Sequence, residues 1–291
     1  MGEKRRLGDR KDGKLIRDVD GLHYVMGHLY RDRTENEAYI SISVDLGPMN
    51  EWVEKHKADD PEFPYTFFHL IVAALLKTVI LRPKMNRFYA NRNYYQRNDY
   101  SASFIVKRKF KDDAGEGMAF VKALPEFNVQ DIHRLIREQV MNSRKGDNSS
   151  SEDNIDTLTK LPRFIGRIAM SFILFLDRHG WLPDSEYESN SNYSSVFITN
   201  LGSIKLNCGY HHLSNFGTSS VFVIIGEKKY VSVYAKDGSF EMKEMLDIGL
   251  TLDERIADGY YYSKTVKLLQ YLLLHPELLE RPLGEEVTFE D

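Results

Sequence analysis

From 38 to 46 the side chains alternate strictly: Ile40, Ile42, Val44 and Leu46 fall on one face, Tyr39, Ser41, Ser43 and Asp45 on the other. That is the pattern of a half-buried strand. Gly47-Pro48 ends it, and 49–57 reads as a short surface helix. The stretch 65–81 behaves differently. Phe67, Phe68, Leu70, Ile71, Val72, Leu75, Leu76, Val79 and Ile80 leave it apolar nearly all round. At roughly 17 residues it is too long for a strand, so a buried helix is predicted, ending at Arg82-Pro83. His69 inside it is read as a core or capping residue.

Further along, 88–96 mixes Tyr, Asn and Arg and is predicted to be an irregular or edge segment packed at the surface. Stretches 101–110 and 117–124 read as strands joined by a polar turn over 111–116. Ile132, Leu135, Ile136 and Val140 mark an amphipathic helix over 129–140. The polar run 142–157 is loop-like. Residues 164–176 are again apolar but too few to span a bilayer, and burial against protein is expected. From 194 the pattern turns β-rich, through 194–200, 221–226 and 230–235. Lys236-Asp237-Gly238-Ser239 then forms a hairpin turn into 240–246 and a strand ending at Leu252. Val266, Leu269 and Leu273 recur at helical spacing until His275-Pro276 stops the closing helix. Residues 1–14 read as a flexible basic arm and 282–291 as a tail. There is no internal repeat.

Composition narrows this picture. The 291 residues can form one large α/β domain or two small ones, and 42% hydrophobic with 28% charged residues is ordinary for a globular chain. A net charge of −4 and a pI near 6.2 argue against nucleic acid as a partner. Cys208 is the single cysteine, which excludes an internal disulfide and any cysteine-based metal cluster. The charged Met1-Gly2-Glu3-Lys4-Arg5-Arg6 is not followed by an apolar run, and no stretch of about 18 apolar residues occurs. A cytoplasmic protein without membrane contact is expected.

The strand ending at Leu252 leads into Asp253-Glu254-Arg255-Ile256-Ala257-Asp258-Gly259. This resembles the Asp-His-Arg-x-x-Asp-Gly signature of the dihydrolipoyl acyltransferase catalytic domain of 2-oxoacid dehydrogenase complexes. Chloramphenicol acetyltransferase carries the related His-x-x-x-Asp-Gly. Glu254 stands where the family has its catalytic histidine. Phe197-Ile198-Thr199-Asn200-Leu201-Gly202 resembles the family's Phe-Thr-Ile-Ser-Asn-Leu-Gly strand. The helix at 65–80 and the strand at 98–106 follow in family order, and the likeness spans roughly 15–281. It implies a two-layer α/β sandwich on a large mixed sheet, assembled as a homotrimer with active sites at the subunit interfaces. Residues 142–190 are longer than that pattern needs and read as an inserted loop plus apolar helix. There is no lipoyl attachment site and no Pro/Ala-rich linker.

Acyl transfer from a thioester needs a general base for the attacking thiol or hydroxyl and a donor for the oxyanion. The resemblance gives the donor role to Thr199, which keeps the hydroxyl of the family's serine. It makes Asp258 a structural brace of the turn through an ion pair with a basic residue, with Arg255 and Asn200 as further structural residues. Glu254 is the problem. An ordinary carboxyl, at a pKa of ~4.3, is a poor base for a thiol at ~8.5, whereas burial in an apolar channel raises a carboxyl into useful range. Tyr210-His211-His212 offers an imidazole, and His212 is the candidate second base. Adjacent histidines on a strand face opposite ways, and no third metal ligand stands at a diagnostic spacing. The function implied is a coenzyme A-dependent acyltransferase acting on a small-molecule acceptor, with no metal. The alternative is a catalytically silent relative that serves as a binding or scaffold protein.

Overall fold

A computed structural model of the chain describes residues 5–107, 116–145 and 162–289. The strictly alternating stretch forms β2 (Glu37–Asp45), with Ile42 and Val44 buried on its apolar face. It is one edge of a six-stranded sheet. The others are β5 (Tyr100–Lys107), β6 (Glu116–Ala123), β7 (Val196–Asn200), β8 (Val221–Tyr234) and β9 (Phe240–Asp253). Their order is β2-β9-β8-β7-β5-β6; β7 runs parallel to both neighbours and every other pairing is antiparallel.

Three helices cover one face of this sheet. The all-apolar stretch is α3 (Phe67–Leu81), and every residue from His69 to Val79 is buried. It packs between α4 (Val129–Lys145) and α7 (Gly259–Leu274) and against β5. The core runs continuously from Val44 and Ile248 in the sheet through Leu70 and Leu76 to Leu269 and Leu273 of α7. Each such buried aliphatic side chain contributes about 1.5–3 kcal/mol. His69 does both things expected of it. It is buried, and its Nδ1 accepts from the Thr66 N–H at 3.0 Å, capping the helix start. Burial pulls its pKa down to about 3, so it packs neutral.

The opposite face of the sheet is covered by loop. Leu213, Phe222 and Ile224 form a small cluster with Phe197, Leu201 and Cys208. A Cβ on Gly249 would lie 2.2 Å from the Gly209 carbonyl, so the loop backbone rests directly on the sheet at that glycine.

Five regions differ from the pattern-based picture. The 88–96 segment is an ordered hairpin: β3 (Arg87–Ala90) and β4 (Asn93–Arg97) join β1 (Gly13–Leu15) in a three-stranded sheet, order β1-β4-β3. Its aromatics Phe88, Tyr89, Tyr94 and Tyr95 are buried, not surface-packed. Consecutive aromatics give no period-two signal because both faces of this ribbon are covered. Residues 1–14 are tied in from Asp9 onward, with Arg10 and Asp12 buried and Arg10 stacked over Phe88 and Tyr95.

The β-rich stretches 221–226 and 230–235 fuse into one strand with an irregularity between Ile225 and Lys228. The helix at 164–176 forms α5 (Arg163–His179), but within one chain Phe164, Ile168, Phe172 and Phe175 are exposed, with only Ile173 and Leu176 packed inward. The expected loop at 142–157 begins inside α4, and from 146 it lies outside the described residues. Among the described residues no helix is long and apolar enough to cross a membrane.

Candidate functional site

The turn after β9 is held from every side. Asp253, the last residue of β9, is fully buried, and its carboxylate receives Arg255 Nε at 2.8 Å and Nη2 at 2.7 Å. This two-point fork is the strongest form of such a pair. Arg255 is itself 1% exposed, donates from Nη1 to the Tyr30 and Arg31 carbonyls, and lies 4.1 Å over the Tyr89 ring. Tyr262 hydroxyl donates to the Asp253 carbonyl at 2.7 Å, tying α7 to the turn. Asp258 caps α7 by accepting from the Tyr261 N–H at 2.8 Å, which together with Lys84 keeps its carboxyl below the usual range.

Glu254 sits at the apex of this frame. Its N–H donates to the Asn36 carbonyl at 2.7 Å, so its backbone is fixed. Its side chain is exposed and, among the described residues, makes no ion pair or hydrogen bond. Thr199 lies on β7, on the same face as Phe197 and away from the helices. Its hydroxyl is likewise uncommitted among the described residues. Asn200 accepts from the Ser203 N–H at 3.2 Å and so caps the short turn after β7.

Register shows how these residues relate. Thr199 pairs with Ile224, and Ile224 with Gly249, so Thr199 stands two strands away from β9 at the level of Gly249. Glu254 is five residues further along the chain, one past the end of that strand. With ~3.3 Å per residue and ~4.8 Å between strands, the two Cα atoms are on the order of 19 Å apart. Within one chain this carboxylate and this hydroxyl therefore do not meet at one reacting atom.

No protein-family model matches this sequence, and no curated protein matches it. Solved structures do. A probable dihydrolipoamide acetyltransferase from Listeria monocytogenes superposes with a TM-score of 0.59 at 14% identity, over 91% of this chain and 95% of that one. The dihydrolipoamide acetyltransferase of Azotobacter vinelandii, described in terms of a catalytic serine, histidine and asparagine, gives 0.60 at 13% identity over 91% and 94%. A chloramphenicol acetyltransferase gives 0.54 at 10% identity over 90% and 99%.

The chain has the chloramphenicol acetyltransferase-like fold. Within this fold the residues singled out from the sequence fall into two groups. Glu254, Arg255 and Asp258 lie together on the turn, while Thr199 and Asn200 lie together at the end of β7. The pairing of acid with arginine in the turn is Asp253–Arg255; Asp258 faces Lys84 only at 3.8 Å between exposed side chains. His212 is exposed on the loop after β7, and its side chain makes no hydrogen bond among the described residues. Its neighbour His211 is the better placed imidazole. That ring stacks on Phe222 at 4.4 Å, and Phe222 pairs with Phe197, two residues before Thr199 on the same face.

Sequence reasoning missed Arg33. It is 5% exposed, 3.6 Å from Asp253, and bonded to the Tyr89 and Ser214 carbonyls. An Arg in a polar stretch carries no periodic signal of burial.

Proposed function

We propose that this chain is an acyltransferase that uses coenzyme A thioesters and works as a homotrimer, with Glu254 of one subunit facing Thr199 of the next. The observation that carries the reading is that both side chains stand uncommitted on rigid supports. The structural pairing that a silent relative would give to Glu254 is made by its neighbour Asp253. The ~19 Å gap within one chain is the second support, because two residues so far apart can act on the same reacting atoms only across a subunit boundary. Docking of that subunit would also strip water from Glu254, and burial moves a carboxyl toward the range of a working base.

In this mechanism the Glu254 carboxylate takes the proton from the acceptor's thiol or hydroxyl as that atom attacks the thioester carbonyl. The new carbon–sulfur or carbon–oxygen bond leaves a tetrahedral oxyanion, to which the Thr199 hydroxyl donates. Collapse breaks the original carbon–sulfur bond, and the departing coenzyme A thiolate recovers the proton from Glu254. A lost oxyanion donor of this kind typically costs ~10²–10³ in kcat.

The test is transfer from acetyl-coenzyme A to a panel of thiol and hydroxyl acceptors by wild type, Glu254→Gln and Thr199→Val, with sedimentation equilibrium on each. Wild-type turnover, lost on Glu254→Gln in an intact trimer, is the expected result. Turnover that survives Glu254→Gln would remove the carboxylate from the mechanism and move attention to His211 and His212. A monomer in solution, or no wild-type turnover with any acceptor, would sink the proposal.

A further inference from the structure

A cavity of about 470 Å³ opens beneath the turn, where the β3–β4 turn, the end of α5 and the loop around Asn215 converge. Its lining contains Arg31, Arg33, Arg92, Arg178 and Arg255, against the carboxylates of Asp32 and Asp177. These guanidiniums come from four separate places in the chain, so the folded state collects like charges that repel one another.

The compensation is incomplete. Asp253, just outside the lining, is committed by its two-point fork to Arg255 and reaches Arg33 only at 3.6 Å. Arg33 therefore shares its one carboxylate with another arginine, and its buried Nε makes no hydrogen bond. Burial, with Arg255 adding to it against Asp253, pulls the Arg33 pKa down to about 10, which still leaves it charged at neutral pH. Asp177 supplies little: it is buried, already accepts from Tyr193 hydroxyl at 2.6 Å and the Gly217 N–H at 3.1 Å, and burial pushes its carboxyl up.

Around the mouth, Arg31, Arg92 and Arg178 are exposed, and their guanidiniums have no ion pair or hydrogen bond among the described residues. Arg92 occupies the second position of a tight turn with φ 62°, after Asn91 at φ 46°. Gly is the usual residue at that second position, and a side chain there costs about 1 kcal/mol. An arginine stands where the backbone favours glycine.

We infer that this cavity binds a diphosphate group, gripped by the unbonded guanidiniums of Arg31, Arg92 and Arg178 at its mouth, while Arg33 and Arg255, whose Nη groups are held by the protein, contribute positive charge from the floor. Guanidinium forks match phosphate oxygens at two points each, and a diphosphate carries the several negative charges this lining lacks. The diphosphate can be free or the bridge of a nucleotide; the chemistry recognised is the same. This inference does not rest on acyl transfer.

The experiment is calorimetric titration of the full chain with inorganic pyrophosphate, ADP, coenzyme A and citrate at fixed ionic strength. Wild type is compared with the exposed double variant Arg92→Ala/Arg178→Ala and with Arg134→Ala on α4 as a control. Saturable pyrophosphate binding is expected, weakened at least about tenfold in the double variant, which is one charge-assisted hydrogen bond's worth, and unchanged in Arg134→Ala. Tighter binding of ADP or coenzyme A than of pyrophosphate would mark a nucleotide as the source; the reverse order would mark the free anion. The inference is overturned if wild type does not bind pyrophosphate, if the double variant binds it as well, if Arg134→Ala loses as much, or if citrate binds as tightly. Because the readout is binding without turnover, an absent acyltransfer activity would leave it standing.

Discussion

The two ends of the helix-covered sheet are built on opposite principles. Around α3 the interior is almost wholly aliphatic, and the strands and helices there meet through Leu, Ile and Val. At the end occupied by β1, β3, β4 and the Asp253 turn, the interior holds four buried guanidiniums, Arg10, Arg33, Arg97 and Arg255, and three buried carboxylates, Asp12, Asp177 and Asp253. Arginine and aspartate are almost never this deeply buried unless paired, so that end is specified by geometry rather than by hydrophobicity. The aliphatic end tolerates repacking at small cost. The charged end tolerates little, because each removed partner strands another charge. The candidate catalytic turn stands on the intolerant end.

The comparison is broken most severely at Asp253. Asp253→Ala leaves Arg255 and Arg33 buried without their carboxylate and should destabilise by about 3–5 kcal/mol or more; chemical denaturation with a matched m-value is the check. Leu272→Ala, in the aliphatic core, should cost about 2–5 kcal/mol. A larger loss there than at Asp253 would reverse the ranking of the two ends.

Acid sharpens the contrast from the other side. His69 has its pKa depressed to about 3 by burial, so between there and the ordinary ~6.5 the unfolded chain binds the extra proton. Its contribution is present above about pH 6.5 and fades as pH falls through that window; in His69→Gln this part of the pH dependence should disappear from thermal melts. The smallest effect is expected at Glu254→Gln, within about 0.5 kcal/mol, because the side chain is exposed and unbonded. A large stability loss there would mean that Glu254 is structural.

The sequence pattern was legible where one face is wet and the other apolar. It marked β2, the amphipathic α4 and the leucine ridge of α7, and α3 was legible because nothing but a buried helix accommodates so long an apolar run. The order of pieces, together with Phe197 to Gly202 and Asp253 to Gly259, pointed to the acyltransferase fold. The charged end was not legible. Arg10, Arg33, Asp12 and Asp177 sit in polar stretches whose composition reads as solvated, and their burial comes from partners that the fold brings in from far along the chain, as when Arg10 reaches the Asp177 carbonyl at 2.8 Å. The hairpin at 87–97 was missed for the same reason, since its aromatics are sealed by those guanidiniums. Thr199 and Glu254 were legible as residue types, but their separation was not, because it depends on strand register.

The β8–β9 pair carries a further consequence. Up to Asn200–Ile225 on one side and Asp45–Met245 on the other, these strands have neighbouring strands. One further backbone bond on each side follows, Glu227 N–H to the Leu206 carbonyl and Leu46 N–H to the Glu244 carbonyl. From Lys228 to Tyr234 and from Lys243 to Phe240 the two strands pair only with each other among the described residues. One pair of strands, its ladder shifted once between Ile225 and Lys228, thus passes from the middle of a sheet to a two-stranded ribbon. Amide exchange along it should report two regimes: near-global protection over Val223 and Leu250, and opening by local fraying over Ser232 and Met242. The ribbon therefore records on its own backbone where cooperative folding of this chain stops.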